Sequence, residues 1–456
     1  MKLSRCVPVG LVLLLFQSLQ GLASQDAQPT LPGGRVRTYY IAAVEIDWDY
    51  APSRMDMMVG KPFSAEEKIW IERTRDRIGS VYKKAVYREY TDGNFITEKK
   101  RPQQWEHLGI MGPLIHAEVG DTIVVYFRNK TTHSYSIHPH GVSYDRSSEG
   151  TPYGGTSLTD EGIVPRGESH TYIWNVPERA GPGPADGSSV VWLYHSHNWE
   201  PKDVNAGLIG PMVITRRGMA RPDGSPKDID REFAVLFMLI DENQSHYLND
   251  NIDSYAQDQH SINKQEFIPT DADGNFHGAG HGFAAANFRA TMNGYMFANL
   301  PTITMKSGEH VRWYVMTLGG AVNIHTPHWH GNVVTINGHR TDIFSLWPAQ
   351  FVTADMIPRQ GWGLDVSLPC GRTHGGGHDC HVPSIALKTT VRLFACVHLP
   401  TAKMASRLLL SHEWDRMRTD PEAPMLEVFH GARNSNSKTQ ETLPRPAAVS
   451  RRIELR

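Results

Sequence analysis

Short apolar runs, each broken by glycine, proline or asparagine, set the pattern of this chain. Residues 39–47 read Tyr-Tyr-Ile-Ala-Ala-Val-Glu-Ile-Asp, and residues 233–241 read Phe-Ala-Val-Leu-Phe-Met-Leu-Ile-Asp. Both are short, rich in β-branched and aromatic residues, and read as strands. Residues 120–127 (Gly-Asp-Thr-Ile-Val-Val-Tyr-Phe) have a counterpart at 308–315 (Gly-Glu-His-Val-Arg-Trp-Tyr-Val), and residues 169–176 add a further strand. Long amphipathic helices are hard to find. The order and spacing of these segments recur in the two halves, which predicts an all-β chain of two tandem β-sandwiches. The predicted boundaries are a first domain over 25–217, a linker over 218–231 marked by Gly224 and Pro226, and a second domain over 232–359. Residues 180–187, Ala-Gly-Pro-Gly-Pro-Ala-Asp-Gly, read as a loop inside the first domain.

The length of 456 residues suits two or three domains. Hydrophobic residues at 40% and charged residues at 21% are an ordinary globular balance, and a net charge of −2 gives no sign of a nucleic-acid-binding surface. The start of the chain reads differently. Lys2 and Arg5 precede an apolar run at 9–16, and Gly21, Leu22 and Ala23 supply small residues for cleavage, so residues 1–24 are expected to be a secretory signal peptide. The run is too short to span a bilayer, and no transmembrane segment is expected later, so the protein should be extracellular. Two acceptor sequons, at Asn129 and Asn243, fit export and are the glycosylation candidates. Cys6 falls in the signal, and Cys370, Cys380 and Cys396 come late, so a disulfide framework does not hold the chain together.

Histidine is abundant, at 23 residues, and much of it is clustered. The clusters are His138-Pro-His140-Gly141, His195-Ser-His197, and His325-Thr-Pro-His328-Trp-His330-Gly331. Side chains at i and i+2 of a strand share a face, so each His-x-His pair presents two imidazoles side by side. A lone pair of this kind is often a solvated edge. Three clusters, two of them followed by glycine at equivalent points of a repeat, point to metal. Imidazole serves copper, zinc, iron and nickel alike, so ligand type alone does not choose. His133, His170, His246, His310 and His339 stand alone and read as ordinary surface or core histidines.

The clusters resemble three of the four copper motifs of the multicopper oxidases, whose domains are cupredoxin-like, that is plastocyanin-like, Greek-key sandwiches. Wider segments are similar to the ceruloplasmin, hephaestin and coagulation-factor A-domain branch: Gly109-Ile-Met-Gly-Pro-Leu-Ile115, Gly141-Val-Ser-Tyr144, Asp241-Glu-Asn-Gln-Ser245 and Met292-Asn-Gly-Tyr295. The resemblance covers about residues 39–358. It implies type 2 copper on His138 and His328, four type 3 ligands in His140, His195, His197 and His330, and a type 1 ligand in His325. Ser196 stands between its two histidines where a blue-copper centre needs a thiolate, so the first domain should lack a type 1 site, which argues against a copper nitrite reductase. The implied activity is one-electron oxidation of a reducing substrate such as ferrous iron, a phenol or an amine, coupled to reduction of dioxygen to water. With the clusters divided between two domains, the resemblance implies a homotrimer with the cluster formed between subunits; a face-to-face contact within one chain is the alternative.

The fourth motif, His-Cys-His followed by a further His and a Met, should lie shortly after Pro358 and does not. The codons permitted for residues 363–380, each read from its second base, include a peptide in which Ser367, Leu368 and Pro369 become His-Cys-His, Thr373 becomes His, and His378 becomes Met. Residues 360–456 are therefore expected to be an out-of-frame or alternative tail, arising from a splice variant, a sequencing slip or a gene-model error. Within that tail His374, His378, Cys380 and His381, and Cys396, His398 and Met404, lie near one another without the family spacing. Lacking a thiolate at the motif, the chain as written is expected to bind copper weakly and to be inactive as an oxidase. A non-catalytic A-domain-like protein and a copper binder without turnover are the competing readings. The A-domain reading ranks lower, because the coagulation factors have lost most of the motifs that three clusters keep here.

Overall fold

The computed structural model describes residues 33–154, 161–266, 268–270, 276–301, 303–319, 324–329, 331–358, 365–367 and 390–393. The expected signal segment (1–24), His330 and nearly all of residues 360–456 lie outside these residues. Eight strands build the first half: β1 (Val36–Asp49), β2 (Val81–Glu89), β3 (Ile115–Glu118), β4 (Thr122–Asn129), β5 (His138–Pro139), β6 (Ser169–Asn175), β7 (Ser189–His195) and β8 (Ile209–Thr215). They form two four-stranded sheets, β2-β1-β4-β6 and β3-β8-β7-β5. Ile123, Val125 and Phe127 alternate along β4, and all three are fully buried with Trp174, Tyr172, Met212 and Ile214 between the sheets. That is the period of two expected of a strand with one face on a core.

The second half comprises β9 (Arg231–Asp241), β10 (Ile268–Thr270), β11 (Phe276–His281), β12 (Phe288–Met292), β13 (Ile303–Thr304), β14 (Val311–Thr317), β15 (His328–Trp329), β16 (Val334–Ile336), β17 (His339–Thr341), β18 (Phe351–Met356), β19 (Asp365–Ser367) and β20 (Thr390–Leu393). The repeat seen in the sequence is a repeat of topology. β1 pairs antiparallel with β2 and parallel with β4, and β9 pairs antiparallel with β12 and parallel with β14. β4 and β14 each take an antiparallel neighbour on the far side, β6 and β18. The fold is all-β, two tandem cupredoxin-like sandwiches, and the longest helix among the described residues is Leu248–Tyr255.

The sandwiches share a core. Tyr82, Val86, Leu193, Ile209 and Val213 of the first half pack in one buried cluster with Ala234, Leu236, Met238, Tyr314 and Met316 of the second. Each Val, Leu, Ile or Met side chain among them contributes about 1.5–3 kcal/mol on burial. Near-continuous apolar runs such as 233–240 follow from this, because β9 is covered on both faces. Several polar groups that enter the seam are paired. Lys84 Nζ donates to Glu242 Oε1 at 2.5 Å, both side chains being wholly buried, and Tyr50 donates to the same oxygen. Arg312 binds Asp355 through Nε at 2.6 Å and Nη2 at 2.7 Å, and reaches across to Ser188 and Ser189 Oγ. His107 donates from Nδ1 to the Gln104 carbonyl and accepts the Ala234 N–H at Nε2. The connection between the halves is also tied down: Arg37 donates to the Pro222 carbonyl and Thr215 to that of Gly224.

Asn129, a glycosylation candidate, has a fully buried side chain whose Nδ2 donates to the carbonyls of His133 at 2.7 Å and Val164 at 2.8 Å, while its Oδ1 accepts from Thr131. A glycan on that nitrogen would replace one of its two hydrogens and so cost at least one of these bonds. Asn243 is half-buried, with Nδ2 on Asp241 Oδ1 and the Ala284 carbonyl.

Candidate metal centre

β5 and β7 are antiparallel partners at the open end of the first sandwich, with His138 directly opposite His195 and Pro139 opposite Tyr194. The chain turns immediately after His140. Gly141 has φ of +79°, and a Cβ there would lie 2.3 Å from the Trp192 ring, so only glycine closes the His-x-His-Gly segment. The result is that ligand atoms of His138, His140 and His195 all lie within 4.8 Å of one another. The Nε2 atoms of His140 and His195 are 3.1 Å apart. The His197 ring stands 5.0 Å from that of His138 and 5.4 Å from that of His195, while its Nε2 lies 3.5 Å from Glu200 Oε2.

The ring orientations are set from behind. His138 Nδ1 lies 2.8 Å from the Glu149 carbonyl, and His195 Nδ1 lies 3.1 Å from the Ser196 carbonyl. A carbonyl only accepts, so both Nδ1 atoms carry the hydrogen and both Nε2 atoms present lone pairs inward, as metal-ligating histidines do. Burial drives the electrostatics. It lowers the pKa of His138, pushes His140 down to about 4, and holds His195 far below the ordinary histidine range, with the neighbouring imidazoles adding to the effect. At neutral pH these three are uncharged imidazoles. The donor set therefore fits a metal ion that takes imidazole nitrogen.

The second sandwich places its histidines elsewhere. His325 is fully buried beside Phe237, at 5.7 Å between rings, and neither ring nitrogen has a hydrogen-bond partner among the described residues. Burial pushes its pKa down to about 4. Two unpaired nitrogens in an apolar core are costly unless something coordinates them, so His325 also fits a ligand role. His328 opens β15, with Nε2 3.7 Å from Asp342 Oδ2. Among the described residues, neither His325 nor His328 joins a group of three ligand atoms within 4.8 Å of one another.

Sequence reasoning set His246 aside as an ordinary histidine and did not single out Asp203. In the structure Asp203 is fully buried, and it accepts from Ser196 Oγ at 2.7 Å and from His246 Nε2 at 2.8 Å. Nothing in the local pattern Trp-Glu-Pro-Lys-Asp marks that aspartate, which reads as a surface acid.

Residues 107–218, which carry all four clustered histidines of the first sandwich, match the multicopper oxidase family model, so the chain carries a domain of that family. Among characterised proteins it is 41% identical over 356 residues to the ferroxidase HEPHL1 of Mus musculus, an alignment covering 77% of this chain and 28% of that one. Against Mus musculus hephaestin the identity is 38% over 355 residues, 76% of this chain and 28% of the relative. Against Mus musculus ceruloplasmin it is 38% over 349 residues, 75% and 32%. The chain thus spans less than a third of the length of these relatives.

Proposed function

We propose that this chain is a copper-binding extracellular oxidoreductase of the ferroxidase or laccase type, oxidising a small reducing substrate and delivering the electrons to dioxygen. The observation that carries this reading is the convergence of His138, His140 and His195, three uncharged imidazoles whose ligand atoms lie within 4.8 Å of one another. Copper held there supplies one-electron redox chemistry at neutral pH. The protein's part is to hold the imidazoles: the Glu149 carbonyl orients His138, the Ser196 carbonyl orients His195, and the Phe351 ring packs 5.5 Å from that of His140. Relatives named ferroxidase support ferrous iron as the substrate.

The complete cluster draws its remaining ligands from a second body. Exposed Val333, Ile343 and Trp347 flank the His325 and His328 segments, which supports packing of this face against another copy in a homotrimer. The competing reading is copper binding without turnover. It is favoured by Leu368, which stands where a type 1 thiolate belongs.

The test is to load the purified chain with copper, count the metal, and follow dioxygen consumption with ferrous iron. Copper bound with dioxygen consumed supports the oxidase. Copper bound without consumption leaves the binding protein. No copper bound ends both readings.

A further inference from the structure

Between the two His-x-His segments runs a set of hydrogen bonds that touches no proposed ligand nitrogen. Ser196 Oγ donates to Asp203 Oδ2 at 2.7 Å and accepts the Ser136 N–H at 3.0 Å. Ser136 lies two residues before His138. Its own Oγ accepts the His197 N–H at 3.0 Å and donates to the Gly150 carbonyl at 2.7 Å. The two serines therefore cross-link the segment that carries His138 and His140 to the segment that carries His195 and His197. All four bonds are closed, and Ser136, Ser196 and Asp203 are each fully buried.

Asp203 anchors this cross-link. Its Oδ2 also accepts the Trp199 N–H at 2.9 Å, and its Oδ1 takes His246 Nε2 at 2.8 Å. His246 comes from the second sandwich, five residues beyond the end of β9. A buried carboxylate accepting three donors is a rigid fixture, because hydrogen bonds to a charged acceptor are short and strong and an unmet one is costly. The carboxylate fixes the Ser196 hydroxyl, and that hydroxyl fixes the backbone on both sides of it, where the His195 and His197 side chains begin.

We propose that Asp203 is a positioning residue for the copper ligands, acting through the Ser196 and Ser136 hydroxyls to hold His195 and His197 in register with His138 and His140. This rests on the copper reading above. The position between the two histidines is then occupied by a hydroxyl for a mechanical reason: it is the grip by which the second sandwich, through His246 and Asp203, steadies the metal strands of the first.

The experiment measures Cu(II) affinity by calorimetry and the Cu(II) electron paramagnetic resonance spectrum of the full chain, beside far-ultraviolet circular dichroism of the metal-free form. Wild type is compared with Asp203→Asn, Ser196→Ala and His246→Gln. Outer-shell partners of metal ligands typically matter by about 10–100-fold in affinity. Asp203→Asn and Ser196→Ala are expected to weaken copper binding by that amount and to alter the hyperfine pattern with the dichroism unchanged; His246→Gln acts in the same direction and less. Affinities within twofold of wild type and an unaltered spectrum in Asp203→Asn and Ser196→Ala overturn the proposal. Should Asp203→Asn fail to fold, Ser196→Ala, which removes a single oxygen, decides on the same criterion. A wild-type chain that binds no copper is a different result: it ends the copper reading itself, and the positioning role with it.

Discussion

His328 lies directly opposite Ser367 across an antiparallel strand pair, as His138 lies opposite His195. The second sandwich thus repeats the pairing of the first, with Ser367 where the first has His195. Ser367, Leu368 and Pro369 are the three residues whose permitted codons can spell His-Cys-His when read from their second base.

The first prediction concerns this slot. The nucleotide sequence across Pro358 to Cys380 is expected to show a one- or two-base change that restores His-Cys-His. Protein made in the restored frame should turn blue on copper loading, and protein made as written should not, because a blue centre needs a cysteine thiolate. Visible absorption of the two loaded proteins settles it: a blue band from the written chain would refute the assignment.

His107 carries a second prediction. Burial pushes it down to about 4, whereas an unfolded histidine titrates near 6.5. Between these values the unfolded chain binds more protons than the folded one. Stability is therefore complete above about pH 6.5 and falls as pH drops toward about 4, by about 3 kcal/mol for this residue. His140 and His325 act in the same direction. Urea unfolding of the metal-free protein at a series of pH values reads the slope. His107→Gln, whose amide can serve both the Gln104 carbonyl and the Ala234 N–H without titrating, should flatten it.

Lys84 and Glu242 meet with no solvent exposure on either side chain, and burial lowers the Lys84 pKa despite the adjacent carboxylate. Removing one partner strands the other. Lys84→Met is expected to destabilise by about 3–5 kcal/mol, and the double change Lys84→Met with Glu242→Leu by less, since no buried charge is then left alone. Chemical denaturation of both variants checks the order. A double variant weaker than the single one would show that the pair is worth more than its desolvation costs.

Asn129 should carry no glycan in secreted material, and Asn129→Ala should cost about 1–3 kcal/mol by removing one donor from each of the Val164 and His133 carbonyls. Peptide mass spectrometry and thermal unfolding test the two halves of this statement.

The sandwich repeat was legible because the strands are short and divided by turn residues, and because their buried faces are written in β-branched and aromatic side chains. The His-x-His-Gly segments were legible for a related reason: strand geometry turns i and i+2 to one face, and the glycine answers to a positive φ pressed against Trp192. The supporting chemistry was not legible. Lys84 and Glu242 are 158 residues apart and Asp203 and His246 are 43 apart, and no local pattern separates a charge destined for burial from one left in water. The sequon at Asn129 says nothing of burial, because three residues specify an acceptor without specifying whether its nitrogen is engaged. His197 turns toward Glu200, a helix residue that spacing along a strand does not anticipate.

The seam between the sandwiches changes what duplication means for this chain. Two copies of one plan are joined in tandem, yet Ala234, Leu236 and Tyr314 share one buried cluster with Val86, Leu193 and Ile209 of the other half. A cut in the connection near Gly218 would leave each half with an uncovered oily wall and with half of a buried ion pair. The repeat is modular as inheritance and indivisible as a folded object: the unit that can be expressed, transplanted or lost is the pair.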